Sequence, residues 1–273
     1  MKLLFFCPRW GSEALDWKTF ITNARNQGYD GVEFGIPSDT HERELDGIFN
    51  LLEAQQMYAI PQHYDTVTAN FALHEEQYCQ WFEKIMSYKA LKINSQTGRD
   101  VFIAAQNTLL FEHAAQYAAA MHTTVCHETH RGKFSFAAHI TKDYLSVLPQ
   151  LALTLDISHW VCVAESYLDD QSDAVELAIA RTSHLHARVG HTQGSQVFDP
   201  RAPEWEEALS KHLVWWDAVG ARYAQINQAL TITPEFGAYP YTLYRPYSNE
   251  PLANQWEVNA YMMELLKDRY ANK

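Results

Sequence analysis

The chain has 273 residues, enough for one α/β barrel or two ordinary domains, and its 47% hydrophobic content can bury a large core, which excludes general disorder. Its formal net charge is −12, with Lys and Arg scattered and never in a run, so the chain repels a phosphate backbone and nucleic acid is not an expected partner. The apolar stretches fall well short of a membrane span, and the opening MKLLFFCPRWG lacks the length and cleavage site of a signal peptide, which predicts a cytoplasmic protein without membrane contact.

Eight short apolar runs follow in chain order, each closing on a polar residue or a Gly/Pro turn: LLFFC (3–7), GVEFG (31–35), MYAIPQH (57–63), ALKIN (90–94), TTVCHE (123–128), LALTLD (151–156), SHLHAR (183–188) and LTITPE (230–235). Their ends recur about every 30 residues, the length of one strand, one helix and two short loops, until a longer interval before the eighth. Between them, residues 101–122 read as an Ala-rich helix with Asp100 placed to cap it. Residues 203–219 begin with Pro203 and three glutamates suited to the positive end of a helix dipole, and 251–270 begin with Pro251. The pattern predicts an α/β chain folded as a single (β/α)8 TIM barrel over residues 1–273. An open doubly wound sheet is the alternative, weakened by the lack of a GxGxxG after the first run. The long interval holds VGHTQGSQVFDPRAP (189–203), read as an extended loop on the active-site face.

Four cysteines (Cys7, Cys79, Cys126, Cys162) lie far apart with no CxxC pair, so neither a disulfide framework nor a thiolate zinc site is indicated. Thirteen histidines are many for this length, and several cluster where strands end. Glu128, Asp156, His186 and Glu235 close the last four strands, and a barrel brings such ends to one mouth. Three carboxylates and an imidazole suit one divalent ion, Mn2+, Mg2+ or Co2+, with Zn2+ also possible. A lone Asp or Glu at a strand end is more often a helix cap; four on consecutive strands point to a shared site.

HETHRG (127–132), LDISHW (155–160), HLHAR (184–188) and TPEFG (233–237), together with GYDGVEF (28–34), resemble the sugar isomerase/epimerase superfamily. That superfamily has a xylose-isomerase-like barrel, includes tagatose 3-epimerase-like and hydroxypyruvate isomerase-like enzymes, and shares its fold with apurinic endonucleases. The resemblance implies that Glu128 and Glu235 are metal-bound glutamates that also exchange protons with substrate, as the catalytic pair. It implies that Asp156 and His186 complete the metal site and that His159 contacts substrate. His186 is taken as the ligand rather than His184, on the expectation that His184 points to the opposite side of the barrel. Those enzymes usually carry an arginine several residues past the ligand histidine, whereas Arg188 follows His186 by only two. Its planar fork would hold a substrate carboxylate or keto-hydroxyl pair, or else Glu235.

His63 and Asn94, ending the third and fourth runs, and Trp10 and Trp160, after the first and sixth, are further candidates for substrate contact. The resulting expectation is a metal-dependent isomerase or epimerase acting on a small sugar or keto-sugar through a metal-stabilised enediolate. A dehydratase of a keto-sugar or keto-inositol on the same site is the nearest rival. An apurinic endonuclease would need an Asp-x-His pair where Asp199-Pro200-Arg201 stands, and a non-catalytic sugar-binding barrel would not need two glutamates. Trp215 and Trp216 read as exposed aromatics that allow a homo-oligomer.

Overall fold

The structure, a computed structural model, describes residues 2–271. Its strands are β1 (Lys2–Pro8), β2 (Gly31–Gly35), β3 (Tyr58–His63), β4 (Ile93–Ser95), β5 (Val125–Glu128), β6 (Leu153–Leu155), β7 (Thr182–His186) and β8 (Ala229–Thr233). All pair in parallel with their sequence neighbours, and β1 pairs with β8, which closes the barrel. The apolar runs are continuous rather than alternating because barrel strands are buried on both faces, outward against helices and inward against each other.

The helices are α1 (Trp17–Gln27), α2 (Glu42–Ala54), α3 (Phe71–Ile85), α4 (Ala104–Met121), α5 (Ala138–Val147), α6 (Ile157–Ala164), α7 (Ser172–Arg181), α8 (Glu206–Ile226) and α9 (Gln255–Tyr270). Local chemistry sets several boundaries. Asp16 accepts from the Thr19 N–H at 2.9 Å to start α1, and Gly28 ends it in the left-handed region at φ 93°.

Three helix starts differ from expectation. Asp100 does not cap α4: the Gln106 side chain accepts the Ile103 N–H at 3.2 Å, so the helix begins at Ala104 and Asp100 stays in the preceding turn. Pro203 opens a single 3-10 turn, Pro203–Trp205, ahead of α8, which runs beyond the expected end to Ile226. Pro251 bridges to Tyr244 inside the loop after β8, and Asn254 starts α9 by accepting from the Glu257 N–H. One helix was not foreseen: α6 begins immediately after β6, so two helices separate β6 from β7.

The larger core lies between the barrel and its helices, where Trp81, Trp160 and Trp216 are fully buried. Trp216 is therefore not an exposed aromatic, contrary to the expectation from sequence. It lies on the inner face of α8 beside His212, and Trp215 is partly buried against the same core. Inside the barrel, Leu4, Phe6 and Ile60 form a small apolar plug. The buried residues at or next to the strand ends inside the mouth are polar: Asn94, Glu128, His186 and Thr233. Among the described residues, no helix is long and apolar enough to cross a membrane.

Gly31 is where β2 and the plug meet. A Cβ there would lie 2.4 Å from the Phe6 ring and 2.6 Å from the Tyr58 carbonyl oxygen, one of them fixed backbone. Gly31→Ala should destabilise the chain by roughly 1–3 kcal/mol through overpacking. Urea denaturation checks this, and an unchanged midpoint would mean that β2 can shift to make room.

Candidate metal centre and active site

Side chains alternate along a strand, so every second residue of β7 and β8 faces into the barrel. That parity selects His184 and His186 on β7 with Arg188 beyond them, and Thr231 and Thr233 on β8 with Glu235 beyond them. His184 therefore does not point away from His186. The two residues are two apart and share a side, with ring centroids 5.2 Å apart. His184 stands one layer deeper, its Nε2 donating to Glu33 Oε2 at 3.0 Å and its Nδ1 2.9 Å from the Thr231 hydroxyl.

Glu128, Asp156, His186 and Glu235 converge. Each offers a donor atom, and these atoms all lie within 4.8 Å of one another, on four buried side chains. Glu128 and His186 are the last residues of β5 and β7, Asp156 follows β6, and Glu235 lies two residues past β8. Asp156 also caps α6, its Oδ1 accepting from the Ser158 N–H at 3.1 Å. The helix-cap and ligand readings are thus compatible in one side chain, because a carboxylate has lone pairs for both.

The fit to a metal ion can be judged from the atoms that lack partners. Glu128 Oε1, His186 Nδ1 and Glu235 Oε2 are buried and have no hydrogen-bond partner. His186 Nδ1 is 2.8 Å from Glu235 Oε2 but out of line for a hydrogen bond. Buried polar atoms are rarely left this way, and three facing one space are what a cation would satisfy.

Two other acidic or imidazole clusters lie nearby, and neither has this property. In the Glu33–His184–His186 group, Glu33 accepts from His186 Nε2 at 3.0 Å, from His184 Nε2 at 3.0 Å, from Asn94 at 2.9 Å and from the Thr233 hydroxyl. Its carboxylate is satisfied. In the Glu128–His130–His159 group, the His159 nitrogens face Arg131 at 2.9 Å and Arg188 at 2.8 Å. Guanidinium groups already occupy both of its ring edges.

Glu33 supplies what sequence reasoning did not assign. It accepts a hydrogen bond from the His186 Nε2–H, which fixes the tautomer and turns Nδ1 toward the cluster, an arrangement typical of metal-bound histidines. Burial opposes its charge, but His186 and His184 outweigh that and hold its carboxyl well below the usual range. The signal was present in GVEFG: a glutamate in an otherwise apolar strand is almost never buried without partners.

Burial and the neighbouring Glu235 push Glu128 up to about 7. Glu235 is buried too, yet His186 and Arg188 hold it below the usual carboxylate range. Asn94 donates to Glu128 Oε2 at 3.0 Å and Gln62 to the same oxygen at 3.2 Å, leaving Oε1 free. Arg188 is buried, donates to Asp156, stands 3.3 Å from Glu235 Oε2, and keeps Nη1 without a partner.

A cavity of about 930 Å3 opens onto these residues. Glu128, Glu235, Arg188 and Trp10 line it, as do Gln62, His130 and Tyr241, which were not expected. His159 lies one residue behind the wall, against Arg188, and Asn94 lies beneath Glu128. The structure does not bring His63 and Trp160 to the mouth. His63 packs on Tyr78 and Trp81 of α3, and the Trp160 indole donates to the Ser135 carbonyl at 2.7 Å inside the helical layer. For His63 the reason is parity, since its neighbour Gln62 takes the inward position.

No family model matches the sequence, and comparison with curated proteins gives no match. Solved structures do share the fold. The probable 3-DHS dehydratase AsbF of petrobactin synthesis from Bacillus anthracis superposes with a TM-score of 0.61 at 16% identity, over 98% of this chain and 100% of that one. A xylose isomerase-like TIM barrel protein from Mycobacterium smegmatis in complex with magnesium gives 0.61 at 10% identity, over 98% of each chain. A D-tagatose 3-epimerase-like protein gives 0.62 at 11%, over 98% of this chain and 99% of that one. The chain thus has the xylose-isomerase-like barrel fold.

Glu33→Gln should lower divalent-metal affinity by roughly 10- to 100-fold, the usual cost of removing such support, without loss of fold. Asp156→Ala should lose the ion outright after dialysis. Calorimetric titration with Mn2+, alongside circular dichroism, reads both. Wild-type affinity in the Glu33 variant would show that His186 needs no help to hold its tautomer.

Proposed function

We propose that the chain is a divalent-metal-dependent isomerase or epimerase acting on a small sugar or keto-sugar, with Glu128 and Glu235 as its acid–base pair. One observation carries the reading. Two buried glutamates from different strand ends, Glu128 and Glu235, each turn an oxygen without a hydrogen-bond partner to the same small space beside Asp156 and His186. A site built only to bind an ion does not need both an acid and a base.

A bound divalent ion supplies a Lewis acid that eases removal of a proton from the carbon beside a carbonyl. Three carboxylates and one imidazole suit Mn2+, Mg2+ or Co2+, and also Zn2+. Glu235, held below the usual range by His186 and Arg188 despite its burial, is ionised and so available to accept a proton, and Glu128, pushed up by burial and Glu235, can carry one. Arg188 Nη1, buried and free, is suited to a substrate oxygen and would orient it between the two. Return of the proton to the opposite face of the same carbon is epimerisation; return to the neighbouring carbon is isomerisation. The ligand is read as a small molecule rather than nucleic acid, because the net charge is −12 and Glu13, Asp39 and Glu44 stand at the cavity.

In D2O, the Mn2+-loaded protein should place deuterium beside the carbonyl of a small ketose such as dihydroxyacetone or D-fructose. Glu128→Gln and Glu235→Gln should each slow turnover by roughly 10^2 to 10^4 while metal content, measured in parallel, persists. Near-wild-type turnover in both variants would end the two-glutamate mechanism and leave only a binding site.

A further inference from the structure

The metal cluster occupies only one end of its cavity. The same space is lined by Glu128, Glu235 and Arg188 and also by residues of the β1–α1 and β2–α2 units, among them Ile36 and Thr40 of the β2–α2 connection, Trp17 at the start of α1 and Ile48 of α2. At about 930 Å3 it approaches the top of the roughly 300–1,000 Å3 range typical of pockets for drug-sized ligands. A lone monosaccharide is far smaller than such a ligand and would leave much of this extension as water.

Two walls of the cavity are aromatic rings set against glycines. A Cβ on Gly35 would fall 2.6 Å from the Tyr64 ring, and one on Gly237 would fall 2.6 Å from the Trp10 ring. Each ring therefore lies in a space that any side chain on its glycine would fill. Trp10 is further held edge-on against Tyr241, with centroids 4.9 Å apart. Trp10, Tyr64 and Tyr241 all border the cavity and are not fully buried, so they keep surface to offer a ring-shaped ligand.

The charge of the extension restricts what that ring can carry. Glu13, Asp39 and Glu44 are exposed carboxylates along it. Its arginine, Arg9, already donates to the carbonyls of Ser12 and Leu15, so that cation is spent on its own loop. A phosphate or carboxylate placed there would meet net negative charge, whereas a neutral ring would not.

We infer that the substrate is a glycoside: a keto-sugar held at the metal end and carrying, through a glycosidic bond, a second neutral ring that rests on the aromatic rings bordering the cavity. This inference rests on the keto-sugar reading above and adds the second ring to it.

Binding to the Mn2+-loaded protein tests it, followed by calorimetry and by the fluorescence of the tryptophans in the walls, with deuterium exchange in D2O run on the same ligands. The probes are D-fructose, the neutral ketose disaccharides lactulose and isomaltulose, and fructose 6-phosphate. At least one disaccharide should bind about tenfold or more tightly than fructose, the scale of one additional buried apolar contact. Fructose 6-phosphate should bind no more tightly than fructose. Thr40→Trp, which places a ring inside the extension, should shrink the disaccharide-to-fructose affinity ratio, a quantity that a general loss of folding does not move. Fructose that binds and exchanges as well as both disaccharides, or a clear preference for the phosphate, overturns this inference and leaves the keto-sugar reading standing. Absence of binding and exchange with every probe removes the keto-sugar reading and this inference with it.

Discussion

Negative charge packed into the mouth of the barrel is the constraint on which the rest of the structure depends. Glu33, Glu128, Asp156 and Glu235 are all buried there, and the groups that can bring positive charge against them are Arg188 and, when protonated, His184, His186 and His159. Carboxylates removed from water must be paired, given hydrogen bonds or neutralised by a proton, since bare burial costs several kcal/mol per ion. The chain meets this need in two ways at two depths. Glu33, the deeper group, receives donors from four side chains and stays ionised. Nearer the opening, Glu128 is left one unpartnered oxygen and its affinity for a proton rises. Depth separates the two: the deeper carboxylate is satisfied, and Glu128 and Glu235 nearer the opening each keep an oxygen without a hydrogen-bond partner.

The fold makes this layering cheap to specify. Inward positions recur every second residue, so one strand sets residues at successive depths without any turn. On β7 the sequence His184, His186, Arg188 is such a column. His184 serves Glu33, His186 links Glu33 to the cluster, and Arg188 reaches Asp156 and Glu235 at the level of the cavity. The β8 column of Thr231, Thr233 and Glu235 matches it in depth, with the two threonines bonding to His184 and Glu33. Loops then complete the walls. Gln196, from the connection after β7, exchanges hydrogen bonds with the backbone of Gly237, accepting at 2.8 Å and donating at 3.2 Å. That contact pins the loop carrying both Tyr241 and the glycine beneath Trp10.

Much of this was legible in the residues because barrel strands announce themselves by spacing and by polar endings. All eight strands overlap the apolar runs, though β4 shares only Ile93 and Asn94 with its run, and the four residues read as ligands meet. What was missed was missed for definite reasons. His184 was misplaced by parity, since residues two apart share a face. His63 was favoured over Gln62 because imidazole suggests chemistry, yet strand register decides direction and chemical type does not. Glu33 was visible as the one charge in an apolar strand, but its role depends on partners from β4, β7 and β8 that only the closed barrel assembles. The boundaries of α4 and α9 moved because capping depends on which side chain reaches a particular N–H, which spacing alone does not reveal. Tyr241 and the glycine-backed rings lie in loops, where no periodicity marks which residues will face inward.

Such a mouth must weaken the fold that carries it. Unpartnered buried oxygens and like charges within 4.8 Å oppose folding, whereas the plug of Leu4, Phe6 and Ile60 and the tryptophans of the outer layer favour it. The two are stacked one on the other: the Phe6 ring meets the His184 ring edge-on at 6.1 Å, and His184 in turn bonds Glu33. Any cation that binds the folded cluster and not the unfolded chain adds stability in proportion to the logarithm of its concentration over its dissociation constant. The atoms such a cation would satisfy are Glu128 Oε1, His186 Nδ1 and Glu235 Oε2, so stability and cation affinity are coupled through the same three atoms. A substitution that supplied them with internal partners would strengthen the fold while closing the site.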